Sequence, residues 1–343
     1  MIQAIPHRTA PTPSHAIPAS QADVTVIIPT HQRPELLRRA LASVVRQTYR
    51  KLEVIVVSDG DDCGETQAVV AEFSDPRLHL APLWVRRGAA QARNIGVRLA
   101  TTPWIALLDD DDEWMPEKLA LQMEAARAAR VPFPVVSCRS VVRGSTFAWI
   151  SPEHVLRPGE AISEFLFCRR RLVDGARYMQ TSSLLMPREL MLTLPFRPHL
   201  RRHQDWDWLL RAAGQPGVSF HMMPQALSVF HVEDGRTSVG RGQDWEFSRA
   251  WATEMRRSFT PRAYSFFLAT ECASRAAKSR AGWKVYTEIA RESVAYGKPT
   301  ARSLLLLAGF LLIPHTARQW LRRRARGLQT RTSHPPATHA FPT

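Results

Sequence analysis

Trp104-Ile105-Ala106-Leu107-Leu108 runs directly into Asp109-Asp110-Asp111-Asp112, and the fold turns on that junction. Five apolar residues without polar alternation predict a strand buried on both faces. Such a strand belongs to a sheet with helices on each side, and in open α/β sheets ligands bind beyond the carboxyl ends of the strands. The four carboxylates stand at that end. Adjacent carboxylates repel one another, so their ionised form calls for a compensating arginine or metal ion. Mg2+ or Mn2+ suits an all-oxygen donor set that leaves part of the shell to water and substrate phosphate. A solvated acidic loop is the plainer reading of an aspartate run; the buried strand in front of it shifts the weight toward a site.

Working outward, Val24-Thr25-Val26-Ile27-Ile28 predicts another two-sided strand, ending at Pro29-Thr30-His31-Gln32-Arg33. A helix then opens at Pro34, with Leu37, Leu41, Val44 and Val45 on one face. Leu52 to Val57 predicts a strand that also ends in acid, at Ser58-Asp59-Gly60. Asp59 either caps the turn before Gly60 or contacts a ligand. A weaker strand at Leu78 to Leu83 is followed by a helix over 89–100, with Arg93 and Asn94 near its start. Arginine beside the free amides of a helix start suits a diphosphate or a base. Pro116 opens a further helix to about Arg130. This alternation predicts an α/β fold with a mostly parallel sheet between helices.

Val24 to Thr30, Val56-Val57-Ser58-Asp59-Gly60, Ala92-Arg93-Asn94-Ile95-Gly96, and Leu108 to Asp112 followed by Pro116-Glu117-Lys118-Leu119 together resemble the motifs of the family 2 glycosyltransferases. That resemblance implies the GT-A nucleotide-sugar-binding fold, a sugar-nucleotide donor (most often UDP-linked) and inverting transfer assisted by Mg2+ or Mn2+. It implies that Pro29, Thr30 and Arg33 line the nucleotide pocket, that Asp59 hydrogen-bonds the base, and that Arg93 helps hold it. Asp109 and Asp111 would form the D-x-D pair, Asp111 as direct metal ligand and Asp109 or Asp110 serving ribose or waters. Gln204-Asp205-Trp206-Asp207-Trp208-Leu209-Leu210-Arg211 resembles the family's catalytic helix, with Asp205 as general base and Asp207 facing elsewhere. A helix N-cap is the other reading of Asp205. The sequence departs from the family pattern at His31-Gln32 for Tyr-Asn, Ser58 for Asp and Gln204 for Glu, and the first two bear on donor identity because they sit where the base and ribose would be read.

A strand is expected over 134–142, irregular chain to about Gly175, an acceptor-side strand over 178–186, closing strands at 218–222 and 227–231, and a loop at 233–238. His231 is either structural or a ligand to metal or diphosphate. The resulting division is a leader without fixed structure (1–22), a GT-A domain (23–240), a helical extension (241–330) and a polar tail (331–343). Within the extension, residues 303–313 are continuously apolar, too short to span a bilayer of about 20 helical residues. They precede Arg322, Arg323, Arg324 and Arg326 with no acid after residue 301. A helix lying on an anionic membrane and a helix packed into the core are both consistent with this pattern.

At 343 residues and 45% hydrophobic content the chain can bury a full core, and its net charge of +15 is almost all arginine, which suits phosphate or anionic lipid. Four scattered cysteines exclude a disulfide framework or zinc knuckle and point to a reducing cytoplasm, with the cytoplasmic membrane face as a peripheral site. Partners expected are the donor and a saccharide or lipid-linked acceptor in cell-surface polysaccharide or glycolipid synthesis. Two rivals stand beside this reading. A sugar-nucleotide-forming nucleotidyltransferase would ordinarily carry a Gly-rich basic loop after the first strand, and Pro29 to Arg33 lacks glycine. A non-catalytic basic protein on lipid or nucleic acid would not need the carboxylates.

Overall fold

A computed structural model describes residues 21–60, 63–169, 179–232, 244–313 and 317. Residues 1–20 of the expected leader, the loop at 233–238 and the arginine-rich tail from 318 lie outside these residues. The first half alternates as expected: β1 (Val24–Thr30), α1 (Pro34–Val45), β2 (Leu52–Asp59), α2 (Gly64–Glu72), β3 (Leu78–Leu83), α3 (Ala89–Leu99), β4 (Trp104–Leu107), β5 (Asp112–Trp114) and α4 (Lys118–Ala128). The second half continues with β6 (Phe133–Arg143), β7 (Ala148–Ser151), α5 (Ile162–Phe167), β8 (Leu185–Pro187), α6 (Arg188–Thr193), α7 (Gln204–Ala213) and β9 (Val218–His231). Five helices follow: α8 (Trp245–Glu254), α9 (Pro261–Phe267), α10 (Ala273–Lys278), α11 (Trp283–Tyr296) and α12 (Ala301–Leu312).

The strands form one sheet in the order β3-β2-β1-β4-β8-β6-β9-β5, with β7 on β6. Its first half, β3 to β4, is parallel, as the strand–helix alternation requires. Beyond β4 the sheet is mixed, because β8 runs antiparallel to both β4 and β6. Period-2 alternation splits the core into two layers. Ile27, Ile55, Val57, Ile105 and Leu107 face the layer that holds α3, α5 and α7 to α12. Val24, Val26, Ile28, Val54, Val56, Ala106 and Leu108 face α1 and α4. The C-terminal helices thus share one continuous apolar cluster with the sheet, through Trp251, Phe259, Phe267 and Leu307 among others.

Three expectations are corrected. The described part of the expected strand, 179–186, holds no long strand: Thr181–Ser183 form a 3-10 turn and Leu185–Pro187 pairs in the sheet. The two closing strands are a single strand, β9, whose register against β6 shifts around Arg139 rather than breaking. The stretch read as irregular contains α5, whose Phe165 and Phe167 are core residues.

Candidate active site

The aspartate tract is a turn where the chain leaves the centre of the sheet for its edge. β4 pairs with β1 near the sheet centre, whereas β5 pairs with β9 at its edge. Between them the Asp112 N–H donates to the Asp109 carbonyl at 3.1 Å, folding the four residues back. One carboxylate oxygen from each of Asp109, Asp111 and Asp112 lies within 4.8 Å of the other two. Asp112 is buried, its Oδ2 accepts from Ser182 Oγ at 2.5 Å, and its Oδ1 has no hydrogen-bond partner among the described residues. A fully buried carboxylate with an idle oxygen costs free energy unless something binds it. Burial, and then the charges of Asp111 and Asp109, push its carboxyl well above the usual range. An all-oxygen trio with one orphaned atom fits a hard divalent ion.

Asp110 points the other way, into the end of β1. Thr30 Oγ1 donates to it at 2.8 Å and Arg33 Nη1 at 3.1 Å. Burial, followed by repulsion from Asp111, raises its carboxyl to about 6 despite Arg33. Arg33 also reaches Asp111 at 3.6 Å, so it spans the cluster. Pro29 precedes Thr30 in β1, opposite Val57. At the end of β2 the buried Asp59 accepts from the backbone amides of Arg87 at 2.6 Å and Gly88 at 2.7 Å. It therefore shapes the turn into α3, a different turn from the one its sequence neighbour Gly60 suggested.

α3 sits unusually close to β1. A Cβ on Gly96 would meet Ile27 Cγ2 at 2.5 Å, so glycine permits the contact. From this helix Asn94 pins the Phe196 backbone with two reciprocal bonds of 2.8 and 2.9 Å. Arg93, buried, crosses the cleft: Nη2 donates to Asp109, Nη1 reaches Gln204 Oε1 at 3.4 Å, and the guanidinium lies 5.5 Å from the centre of the Phe196 ring.

Asp205 approaches the same arginine from α7. His203, with φ +64°, occupies the N-cap position and offers no side-chain cap; Asp205 instead accepts from Thr181 Oγ1. Burial raises its carboxyl, the Arg93 charge opposes the rise, and Asp109 adds to it. Asp207 faces away, wholly buried and hydrogen-bonded by Arg211 at 2.7 Å and the Trp251 indole at 3.1 Å. The His231 side chain is not part of the trio, its Nε2 being bonded to Glu113 at 2.6 Å, although its backbone amide bears on the Asp112 carboxylate. The residues that sequence reasoning overlooked are Asp112, Thr181 and Ser182. Ser182 Oγ also receives the Asp109 N–H at 3.1 Å, so one short turn orients both ends of the aspartate tract and the α7 carboxylate.

Residues 25–191, which carry the aspartate tract, Asp59 and Arg93, match the sequence profile of Glycosyl transferase family 2. The chain is a glycosyltransferase. Among its curated relatives is the amylovoran biosynthesis glycosyltransferase AmsB of Erwinia amylovora, 28% identical over 245 residues, 69% of this chain and 79% of AmsB. Its fold is shared with S. aureus TarS 1-349 in complex with UDP, with a TM-score of 0.55 at 16% identity over 90% of this chain and 92% of that one. It is shared as well with the mannosyltransferase PcManGT of Pyrobaculum calidifontis in complex with GDP-Man and Mn2+, with a TM-score of 0.53 at 19% identity over 94% and 88% of the two chains. The GT-A fold of the glycosyltransferase is thereby established.

Proposed function

We propose that the enzyme moves a sugar from a UDP-linked donor to an acceptor hydroxyl with inversion at the anomeric carbon. The observation that carries this reading is that Arg93 joins Asp109, at the metal-type trio, to the Asp205 side of the cleft. A base and an anion-binding edge facing each other across one fixed cation is what a single in-line displacement requires.

Pro29, Thr30 and Arg33 line the nucleotide pocket, and Asp59 reads the base through lone pairs left beside its two backbone contacts. Asp111 and Asp109, joined by Asp112, hold Mg2+ or Mn2+. When bound, that ion offsets the negative charge of the diphosphate as it departs. The Asp205 carboxylate takes the proton of the acceptor hydroxyl. The acceptor oxygen forms its bond to the anomeric carbon as the bond to the diphosphate oxygen breaks, and the electron pair leaves with the nucleotide. Arg93 stays fixed throughout. Burial of Asp205 raises its basicity, which favours its taking a proton from the acceptor hydroxyl. His231, held by Glu113, orients β5 behind the cluster. TarS bound to UDP and PcManGT bound to Mn2+ support the donor and ion classes, the name of AmsB supports a place in polysaccharide biosynthesis, and the diphosphoundecaprenol substrate in the name of the Escherichia coli relative WfgD supports a lipid-linked acceptor.

Replacing the base tests this most simply. Asp205→Asn keeps the shape and the Thr181 contact but loses basicity, so sugar-nucleotide turnover should fall by about 10²- to 10⁴-fold while nucleotide affinity holds. Turnover within a few-fold of the parent, in a variant with an unchanged Tm, would remove Asp205 from the chemistry.

A further inference from the structure

α12 has two opposed faces. Thr300 and Ser303 cap it reciprocally, with N–H to Oγ distances of 2.8 and 3.2 Å, which fixes the helix rotation. Ser303, Leu307 and Phe310 are buried, and the last two join the main apolar cluster. On the other side Leu304, Leu305, Leu311 and Leu312 are 44%, 60%, 45% and 75% exposed. Their i, i+1, i+7, i+8 spacing places them in one stripe. Packing onto the protein is already accomplished by the buried face, so the leucine stripe has no role inside the fold.

The surroundings are cationic. Arg302, in the first turn, donates to the Arg169 carbonyl at 3.2 Å. Arg169, Arg157 and Arg262 line a cavity of 440 Å³ together with Glu160 and Glu164. Past the helix the sequence carries Arg318, Arg322, Arg323, Arg324, Arg326 and Arg331 without one acidic residue. A second copy seated on the stripe would bring like charges together. An anionic surface is complementary to it.

We infer that the leucine stripe of α12 docks the enzyme on an anionic phospholipid bilayer, the helix lying in the headgroup boundary with Arg302 of its first turn on lipid phosphate. It does not span: 12 residues reach about 18 Å, and no described helix is long and apolar enough to cross a membrane. This inference extends the sugar-transfer reading, because it brings the cleft to where a lipid-linked acceptor would be, but its test involves no transfer. The full chain is sedimented with vesicles of phosphatidylglycerol mixed into phosphatidylcholine, and with phosphatidylcholine alone, at low and high salt. Binding should need phosphatidylglycerol and weaken with salt. Leu305→Glu with Leu312→Glu should reduce it by roughly tenfold or more per leucine, with an unchanged Tm because both positions are exposed. Equal binding of the double variant and the parent overturns the inference, as does parent binding that ignores lipid charge or is absent. A parent dimer that the double variant dissociates also overturns it, making a second copy the occupant. Vesicle binding without sugar-nucleotide turnover would leave docking intact and count against sugar transfer alone.

Discussion

Asp112 and Asp205 are both crowded carboxylates raised above their usual range, yet their partners differ in what they leave unsatisfied. Asp205 has Thr181 and the nearby charge of Arg93. Asp112 has Ser182 on one oxygen and, among the described residues, no hydrogen-bond partner of good geometry on the other. Asp112→Asn is therefore expected to raise the Tm in chelator, by roughly 2–4 °C for each kcal/mol of relieved repulsion. It should also weaken Mn2+ binding about ten- to hundredfold in calorimetric titration, the scale of a lost metal-site partner. A Tm rise with Mn2+ affinity intact would make Asp112 a purely structural residue. His203 gives the opposite sign with pH. Burial, and then the charges of Arg275 and Arg202, hold its imidazole well below the usual range, stacked 4.8 Å from Trp206 with Nε2 on Ser248 at 2.9 Å. The unfolded histidine takes a proton near pH 6.5 while the folded one stays neutral, so this stability is present above about 6.5 and drains as pH falls toward the depressed folded value. Asp110 runs the other way, since below about 6 it protonates in the fold before its unfolded counterpart does. Comparing His203→Asn with the parent in chemical denaturation from pH 7 to 5 isolates the histidine: the variant should start less stable and show a flatter loss.

At the scale of elements, the close approach of α3 to β1 sets where Arg93 stands. Gly96→Ala should destabilise the fold by about 1–3 kcal/mol, although alanine is the better helix former by about 1 kcal/mol. Ile27 is fully buried and β-branched, so the methyl has nowhere to go. Denaturant titration decides it, and an unchanged or higher midpoint would show that α3 can withdraw. The elements that were legible in the sequence are those with long, one-signal patterns: apolar β1, β2 and β4, the Pro-opened α1, and the Trp–Leu face of α7. Thr181-Ser182-Ser183 was not legible as a turn, since it sits between apolar residues that favour a strand and its partners Asp112 and Asp205 are 70 and 24 residues away. α5 is six residues long, below the length at which helical periodicity can be read. Pro224 made one strand look like two, where a bulge lets β9 pass it.

For the whole molecule, the same sheet that buries its strands on both faces delivers their acidic ends to one edge, and the C-terminal helices close the opposite cleft wall by packing on α7. The aspartate tract, Asp59, Arg93 and Asp205 could be picked out from sequence because each falls in a motif with a neighbouring element signal. The part played by Asp112 could not, because it depends on β5 crossing to the far edge of the sheet, which no local pattern encodes. The extension was legible as helices but not as core, since Trp251, Phe259 and Phe267 find their partners across the chain. In the proposed reading a divalent ion on this carboxylate turn binds the donor diphosphate. Calorimetric titration of UDP into the parent and into Asp111→Ala, each with Mn2+ and with chelator, separates the ion's part from the protein's. Binding to the parent should weaken at least about tenfold when Mn2+ is removed, and Asp111→Ala in Mn2+ should behave like the chelated parent. UDP affinity that is the same in chelator as in Mn2+, or the same in Asp111→Ala as in the parent, would contradict it.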